Sequence, residues 1–583
     1  MLWSSSAKAL EPRQRELRID VISQFNRPFI RPYNGAAVDG FIEYLKTNNR
    51  KFSQGNYYGK FCAIIQSSGT GKSRLIVELR HRKVIVIYMD LRSVNDNGFP
   101  ERDDIPATIL TEEFGFDKDV YFARCCHFLE ALFKAIQTEF QSVPRDAKPE
   151  SVGDFIRNWN EGMCSMGSRS RATFFDRVRA AYNQIPSTAA SSVVAAYENM
   201  LNALQHIIKS NTDEPQLVIA FDEAHTLNQG RNDFSPMHML CRAISEYSRF
   251  CQPQSESVWV VFVSTTFDIA NFSVPPATIQ NSARFVVAGE LLFPPYVQLG
   301  WDQGAAALGD VATKDVSRVD HIIRFGRPLW TSINDMDPQG MSGVIAVAGM
   351  KLCKSSRFEA NDQNLALAAL SQRFCLDVSV GHPEAVRYLE TAVASHLRVC
   401  LAVTEDRTWK STSYPSEPFL SCVAAGLIHR SEGTLRDTLG ALVTKVEGGL
   451  FEIGQNGELA SRLLWLLAKD IYVRKVLHAN IRGIRCIGQQ DFIDCVRVPE
   501  IAFLEYVLGD PFTKALHQQT RGGLDSSGQL WTESQSPQKG FYISSSIQTG
   551  LRLSTSVQIG YRLSQHHRDI TKHYILLTIV LED

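Results

Sequence analysis

A short apolar run that empties into a glycine-rich turn constrains this chain more than any other feature: FCAII (61–65), then QSSGTGKS (66–73). Five apolar residues before a turn predict a buried strand, and Arg74 to Arg80 then open a helix. Gly69 and Gly71 let the backbone come close to an anion and turn its N–H groups inward, while the helix N-terminus adds a partial positive charge. That is how a phosphate-binding loop reads. The expected lining is Gln66, Ser67, Ser68, Gly69, Thr70, Gly71, Lys72, Ser73 and the first helical residue, Arg74. Lys72 would reach the β- and γ-phosphates, and the Ser73 hydroxyl would ligate Mg²⁺. One position departs from the usual G-x-x-x-x-G-K-[ST] spacing, because Gln66 stands where its first glycine would be.

QLVIAFDEAHTL (216–227) supplies the second half of such a site. A buried strand, Leu217 to Phe221, ends in Asp222 and Glu223, and the carboxyl end of a parallel strand is where ligands are met. Asp222 is the expected Mg²⁺ ligand through its water shell, and Glu223 is expected to polarise the attacking water. A third apolar run, VWVVFVSTTF (258–267), again ends in hydroxyls. Ser264, Thr265 or Thr266 at its tip would either contact a phosphate, with Thr265 the site candidate, or satisfy turn N–H groups.

The chain has 583 residues, so three or four modules are expected. A hydrophobic fraction of 44% is that of a globular protein, and a formal net charge of −1 gives no global pull toward nucleic acid or an anionic membrane. The basic runs RHRK (80–83) and RSRATFFDRVR (169–179) read as solvated helix faces. Twelve cysteines without a C-x-x-C or a Cys/His set at zinc spacing suit buried thiols in a reducing compartment. MLWSSSAKALEPRQREL lacks the apolar centre of a secretion signal, and no run reaches membrane-spanning length. A cytoplasmic or nuclear location is expected, with no membrane partner.

Along the chain, residues 1–50 are a polar lead-in with one amphipathic helix, near 36–45. Residues 51–325 form the nucleotide-binding core, with KVIVIYMDL (83–91) as a further parallel strand and a helical insertion over about 100–212. CCHFLEALFKAIQTEF (125–140) and SSVVAAYENMLNALQHIIK (191–209) carry the helical spacing of that insertion. From 326 to 510 the pattern is mostly helical, with stripes at 364–374, 385–401, 418–430, 435–446 and 459–477; a winged-helix-like unit is one candidate for its opening. The tail, 511–583, holds three ten-residue copies, SPQKGFYIS (536–544), SIQTGLRLS (546–554) and SVQIGYRLS (556–564), and closes on the apolar HYILLTIVLED.

QSSGTGKSR, FDEAHTL and RFGRPLW (324–330) together resemble the P-loop ATPase module of Crinkler-type proteins and their fungal relatives, within the STAND and AAA+ ATPases. The resemblance covers about residues 20–340. It implies ATP and Mg²⁺ as ligands, makes the replaced first glycine at Gln66 unexceptional, and gives the hydroxyl-tipped third strand the role of a sensor. It also implies an arginine near the nucleotide, for which Arg284 is the candidate, and a G-x-P turn packed against it, here Gly326 and Pro328 with Arg327 between them. Members of that family often join this ATPase to a nuclease domain and act as toxins, effectors or mobile-element proteins inside nuclei. No separate acidic-lysine nuclease constellation is found here, which suggests a remodelled or truncated C-terminus.

The sequence therefore predicts an α/β fold, a P-loop NTPase core with a parallel sheet flanked by helices and a helical insertion, followed by a mostly helical C-terminal region. The predicted function is Mg²⁺-dependent ATP binding and hydrolysis serving as a conformational switch, with Glu223, Lys72 and Arg284 catalytic and Ser73 and Asp222 on the metal. A homo-oligomer, and a DNA or nuclease partner, are compatible with it. The alternatives are a nucleotide-binding interaction protein without turnover and an ATPase that regulates an associated nuclease.

Overall fold

A computed structural model describes residues 33–514, apart from internal stretches of which 249–257, 268–290 and 478–497 are the longest, together with 574–575. Arg284 and the repeats at 536–564 lie outside the described residues. The chain divides into two compact units. The first comprises residues 1–305, 324–356 and 387–415; the second comprises 306–323, 357–386 and 416–583.

The first unit is α/β and mostly helical, built on a four-stranded parallel sheet. Its elements in chain order are α1 (Ala37–Gln54), β1 (Phe61–Ile65), α2 (Lys72–Glu78) and β2 (Ile85–Asp90). Five helices then intervene, α3 (Asp104–Thr111), α4 (Lys118–Phe140), α5 (Pro149–Cys164), α6 (Arg169–Asn183) and α7 (Val193–Leu204), before β3 (Leu217–Asp222), α8 (Pro236–Ser248) and β4 (Val258–Ser264). The spatial order is β1-β4-β3-β2, every pair parallel. Strand β2 thus lies at the edge, beyond the acidic strand, and β4 separates β1 from β3. On the free side of β1, Tyr296 both donates to the Ala63 carbonyl (2.7 Å) and accepts from the Ile65 N–H (3.1 Å), so the segment around Leu291–Val297 runs parallel to it.

Each strand is buried on both faces, which is why its sequence reads as a continuous apolar run. Phe61, Ala63 and Ile65 of β1 join Ile85, Ile219 and Phe262 in one core, covered by Phe128 and Leu132 of α4, Met200 of α7 and Ile244 of α8. Cys62 and Ile64 point the other way, with Tyr88, Val218 and Trp259, into a core closed by Phe41 and Leu45 of α1 and Leu75 and Ile76 of α2. The insertion is anchored by Arg171 of α6, which donates to the Tyr88 carbonyl (2.8 Å) and to Asp103 Oδ1 (2.8 Å). Arg171 is buried, so the basic run 169–179 is not simply a solvated face. An alternation of three and four residues locates the helix but cannot say which arginine a carboxylate waits for.

Residues 324–356 contribute α9 (Pro328–Asn334) and α10 (Met341–Cys353) to this unit. The helix expected over 385–401 spans Ala385–Ser395 only. Leu397 then takes a left-handed conformation (φ 63°), and β5 (Val399–Val403) pairs antiparallel with β6 (Lys410–Ser413). Ending in β-branched Val399 and Val403, the stretch suits a strand once the helix is broken.

The second unit is helical. Gln363–Ser371 packs on Pro418–Ile428 and Glu432–Glu447, and Glu458–Tyr472 follows. Its polar centre is Asp470, fully buried, which accepts from Arg373 Nη2 (2.6 Å) and lies 2.9 Å from His429 Nε2. Tyr574–Ile575 pair antiparallel with Val498–Pro499. Among the described residues no helix is long and apolar enough to cross a membrane.

Candidate functional site

Because all four strands run the same way, their carboxyl ends share one edge of the sheet. The turn 66–73 leaves β1 there, Ser264–Thr266 leave β4, Asp222–Glu223 leave β3 and Asp90–Arg92 leave β2. The register makes Asp90 the direct cross-strand partner of Asp222.

The turn has the backbone its glycines predict. Gly69 (φ 82°) and Gly71 (φ 97°) are both left-handed, and Thr70 Oγ1 donates to the Ser67 carbonyl (2.9 Å). Lys72 is buried and lies back over the turn, with Nζ 2.8 Å from the Gln66 carbonyl and 3.2 Å from that of Ser67. Burial pushes its ammonium down to about 8, against the pull of Glu223 and Asp222. The Ser73 side chain lies beside Asp222 and works to hold its carboxyl down, which brings the turn to the acidic strand. Asp222 also accepts from Tyr88 (2.6 Å), and burial followed by the Glu223 charge raises its carboxyl above the usual range.

Glu223 takes a left-handed conformation (φ 52°), unusual for a glutamate. Its Oε1 lies 3.0 Å from Arg92 Nη2, and its Oε2 lies 3.2 Å from His225 Nδ1. Burial alone would raise the carboxyl; the His225 contact, Arg92 and Lys72 overcome it and hold the group at about 2. Arg92 is itself fixed by Asp96 (3.0 Å) and the Pro100 carbonyl (3.1 Å). Asp90, fully buried, is pushed well up by desolvation and by the neighbouring Asp222.

The turn RFGRPLW lies against the glycine turn. A Cβ on Gly69 would meet Leu329 Cδ2 at 2.8 Å, and one on Gly71 would meet Pro328 Cγ at 3.9 Å. Gly326 (φ 86°) donates to Asp302 Oδ1 (2.5 Å) and shapes the approach. Between the glycine and the proline, buried Arg327 reaches the Ser68 carbonyl (2.6 Å) and Ser67 Oγ (3.3 Å). Lys351 of α10 reaches Ser68 Oγ (3.0 Å), and burial lowers its ammonium. Two further cations thus come to the turn from beyond the sheet.

Two expected site residues make other contacts, and a third stands beside a turn cap. The Gln66 side chain turns from the loop mouth to the backbone of Cys400 and Val297. Arg74 lies 2.7 Å from Glu78, one helical turn on, and not over the loop. At the tip of β4, Ser264 Oγ accepts from the Thr266 N–H (3.0 Å), a turn cap, while Thr265 is half-buried beside it. Arg92, Asp90, Tyr88, Lys351 and the strand at Cys400 had no motif to announce them. The only signal for Asp90–Arg92 was an apolar strand ending in acid and base.

Residues 34–299 match a family model described as a domain of unknown function (DUF8735), and residues 356–484 match a second, also described as a domain of unknown function (DUF8736). The first match holds the whole sheet and the acid pair; Gly326–Trp330 and Lys351 fall between the two. No curated protein and no solved structure matches the chain.

Proposed function

We propose that the first unit is a P-loop nucleoside triphosphatase of the STAND/AAA+ type that binds Mg-ATP at the turn 66–73 and hydrolyses it as a conformational switch. The observation that carries this reading is that Ser73 and Asp222, one from each motif, come together with buried Lys72 beside them. A hydroxyl and one carboxylate suit Mg²⁺, which keeps most of its waters and takes few protein ligands. Bound there, Mg²⁺ would neutralise charge on the β- and γ-phosphates. Lys72 would exchange its two carbonyl contacts for phosphate oxygens, and the backbone N–H groups of 69–73 would face the same charge. Arg327 and Lys351, already at Ser68, add positive charge at the turn, in the place where the sequence had suggested Arg284. Glu223 would orient the attacking water.

A second reading has its own support: Glu223 is held on both oxygens, so nucleotide could bind without turnover until Arg92 lets go. Phosphate release tests both. Wild type should release phosphate from Mg-ATP above a Lys72→Ala background. Release by Arg92→Ala alone, with none from wild type, would favour the binding-only reading. No calorimetric binding of Mg-ATP to wild type would defeat both.

A further inference from the structure

The side-chain amide of Gln66 does what a peptide unit does in a β-ladder. Its Oε1 accepts from the Cys400 N–H (2.9 Å), and its Nε2 donates to the Cys400 carbonyl (2.7 Å). The same Nε2 reaches the Val297 carbonyl (3.2 Å), and Oε1 also takes the N–H of Ser67, the next residue of the turn (3.0 Å). Gln66 is 2% exposed, so these bonds are made away from water, where leaving any partner unmade is costly. A glycine could make none of them, and a glutamate would set a carboxylate against two carbonyls.

The same stretch is held a second time. Arg327 bridges the Ser68 carbonyl (2.6 Å) and the Leu397 carbonyl (2.8 Å), three residues before Cys400. Leu397 is left-handed (φ 63°), a conformation that persists in a leucine only where its surroundings over-determine it. Beyond Cys400 the hairpin register slips between Cys400 and Ala402, so β5 bends at the point where the turn holds it. Residues 387–415, like residues 324–356, continue at both ends into the second unit.

We propose that Gln66 is a positioning residue that splices strand β5 to the glycine turn, so that the hairpin 397–413 responds to what occupies the turn. This rests on the turn being the nucleotide site. When the turn closes on a phosphate, the Cys400 amide tightens with it; when the turn empties, the strained stretch around Leu397 loosens.

The test is amide hydrogen exchange of peptides covering 397–413, on the full chain, with and without Mg-ATP at a concentration that saturates each protein. In wild type, Mg-ATP should slow exchange at 397–404 by about tenfold, the range of a local opening closed by a ligand. In Gln66→Met, which fills the same volume without hydrogen bonds, the change should fall below about twofold even with the site occupied. Gln66→Gly should behave alike. Cys400→Ala keeps the backbone and should keep the response; its loss would mean that side-chain packing couples the two, and would overturn the splice. An equal response in wild type and Gln66→Met, or none in wild type at full occupancy, would overturn it while leaving nucleotide binding intact. Failure of wild type to bind Mg-ATP in calorimetry would remove the nucleotide site and this coupling together.

Discussion

Arg92 Nη2 sits 3.0 Å from Glu223 Oε1, so the acid that the sequence marks for polarising water is neutralised by an arginine from the neighbouring strand's end. Arg92 has little room to leave: Gly98 packs so closely that a Cβ there would lie 2.1 Å from its Nη1. Asp96, Gly98 and Pro100 are therefore fitted around this guanidinium, and the charge balance of the sheet edge depends on it. Remove it, and Asp90, Asp222 and Glu223 face one another with Lys72 as the main counter-charge.

Arg92→Ala should cost about 2–3 kcal/mol in urea unfolding, short of the ~3–5 of a fully buried broken pair because 22% of the Glu223 side chain stays exposed. Adding Glu223→Gln should recover part of that loss, with a coupling of about 1–2 kcal/mol in a double-mutant cycle. Strictly additive effects would mean that the pair contributes nothing beyond its geometry.

How far the sequence discloses this site follows from the range of each signal. The strand-turn-helix at 61–78 is local: apolar run, glycines and lysine fall within one stretch, so the turn is legible residue by residue. The acid pair is legible for the same reason, since β3 is buried on both faces and stops at Asp222. Sheet order is not local. Nothing in KVIVIYMDL says that it pairs with β3 and not with β1, yet that pairing sets Asp90 beside Asp222 and Arg92 beside Glu223. Gln66 looked like a glycine gone missing because its partner, the Cys400 backbone, carries no sequence signature at all. The strand at 399–403 was hidden inside an apolar periodicity that fits a helix until Leu397 turns left-handed.

Lys72→Ala should weaken Mg-ATP binding by roughly ten- to a hundredfold, the loss of one charge-assisted contact worth about 1.5–3 kcal/mol. Its lowered ammonium adds a pH signature. Burial brings the group down to about 8, so it is charged at pH 7 and largely neutral at pH 9. Phosphate requires the charged form, so affinity should hold below pH 7.5 and fall toward tenfold per unit above 8. Calorimetry at pH 7 and 9 checks this; a Lys72→Ala protein should lose most of that slope.

Glu223→Gln should separate binding from turnover. The amide keeps the shape and still offers Arg92 an oxygen, whereas the negative charge is gone. Ser73 and Asp222 stay in place, so Mg-ATP should bind within a few-fold of wild type while phosphate release falls by on the order of a hundredfold, the scale of a lost acid–base or orienting group. Release at the wild-type rate would place the water-orienting acid elsewhere, and Asp90, the cross-strand partner of Asp222, would be the next residue to test.

The second unit makes a separate prediction. Asp470 is fully buried between Arg373 (2.6 Å) and His429 (2.9 Å), with Lys469 at 3.5 Å. Burial alone would raise its carboxyl, but Arg373, the His429 hydrogen bond and Lys469 outweigh it and hold the group far below the usual range. A carboxyl depressed on folding stabilises the folded state above its unfolded pKa, near 4, and that contribution is lost as pH falls toward the folded value. The helices at 363–371, 418–428 and 458–472 should therefore hold at full strength down to about pH 4 and weaken steadily below it. Asp470→Ala leaves Arg373 buried without its carboxylate and should cost about 3–5 kcal/mol at pH 7. Asp470→Asn keeps a hydrogen-bonding oxygen for Arg373 and should cost less, about 2–3 kcal/mol, while flattening the acid dependence. Circular dichroism of thermal unfolding between pH 3 and 7 reads both. A wild-type curve as flat as that of Asp470→Asn would mean that the carboxylate charge does not hold these helices together.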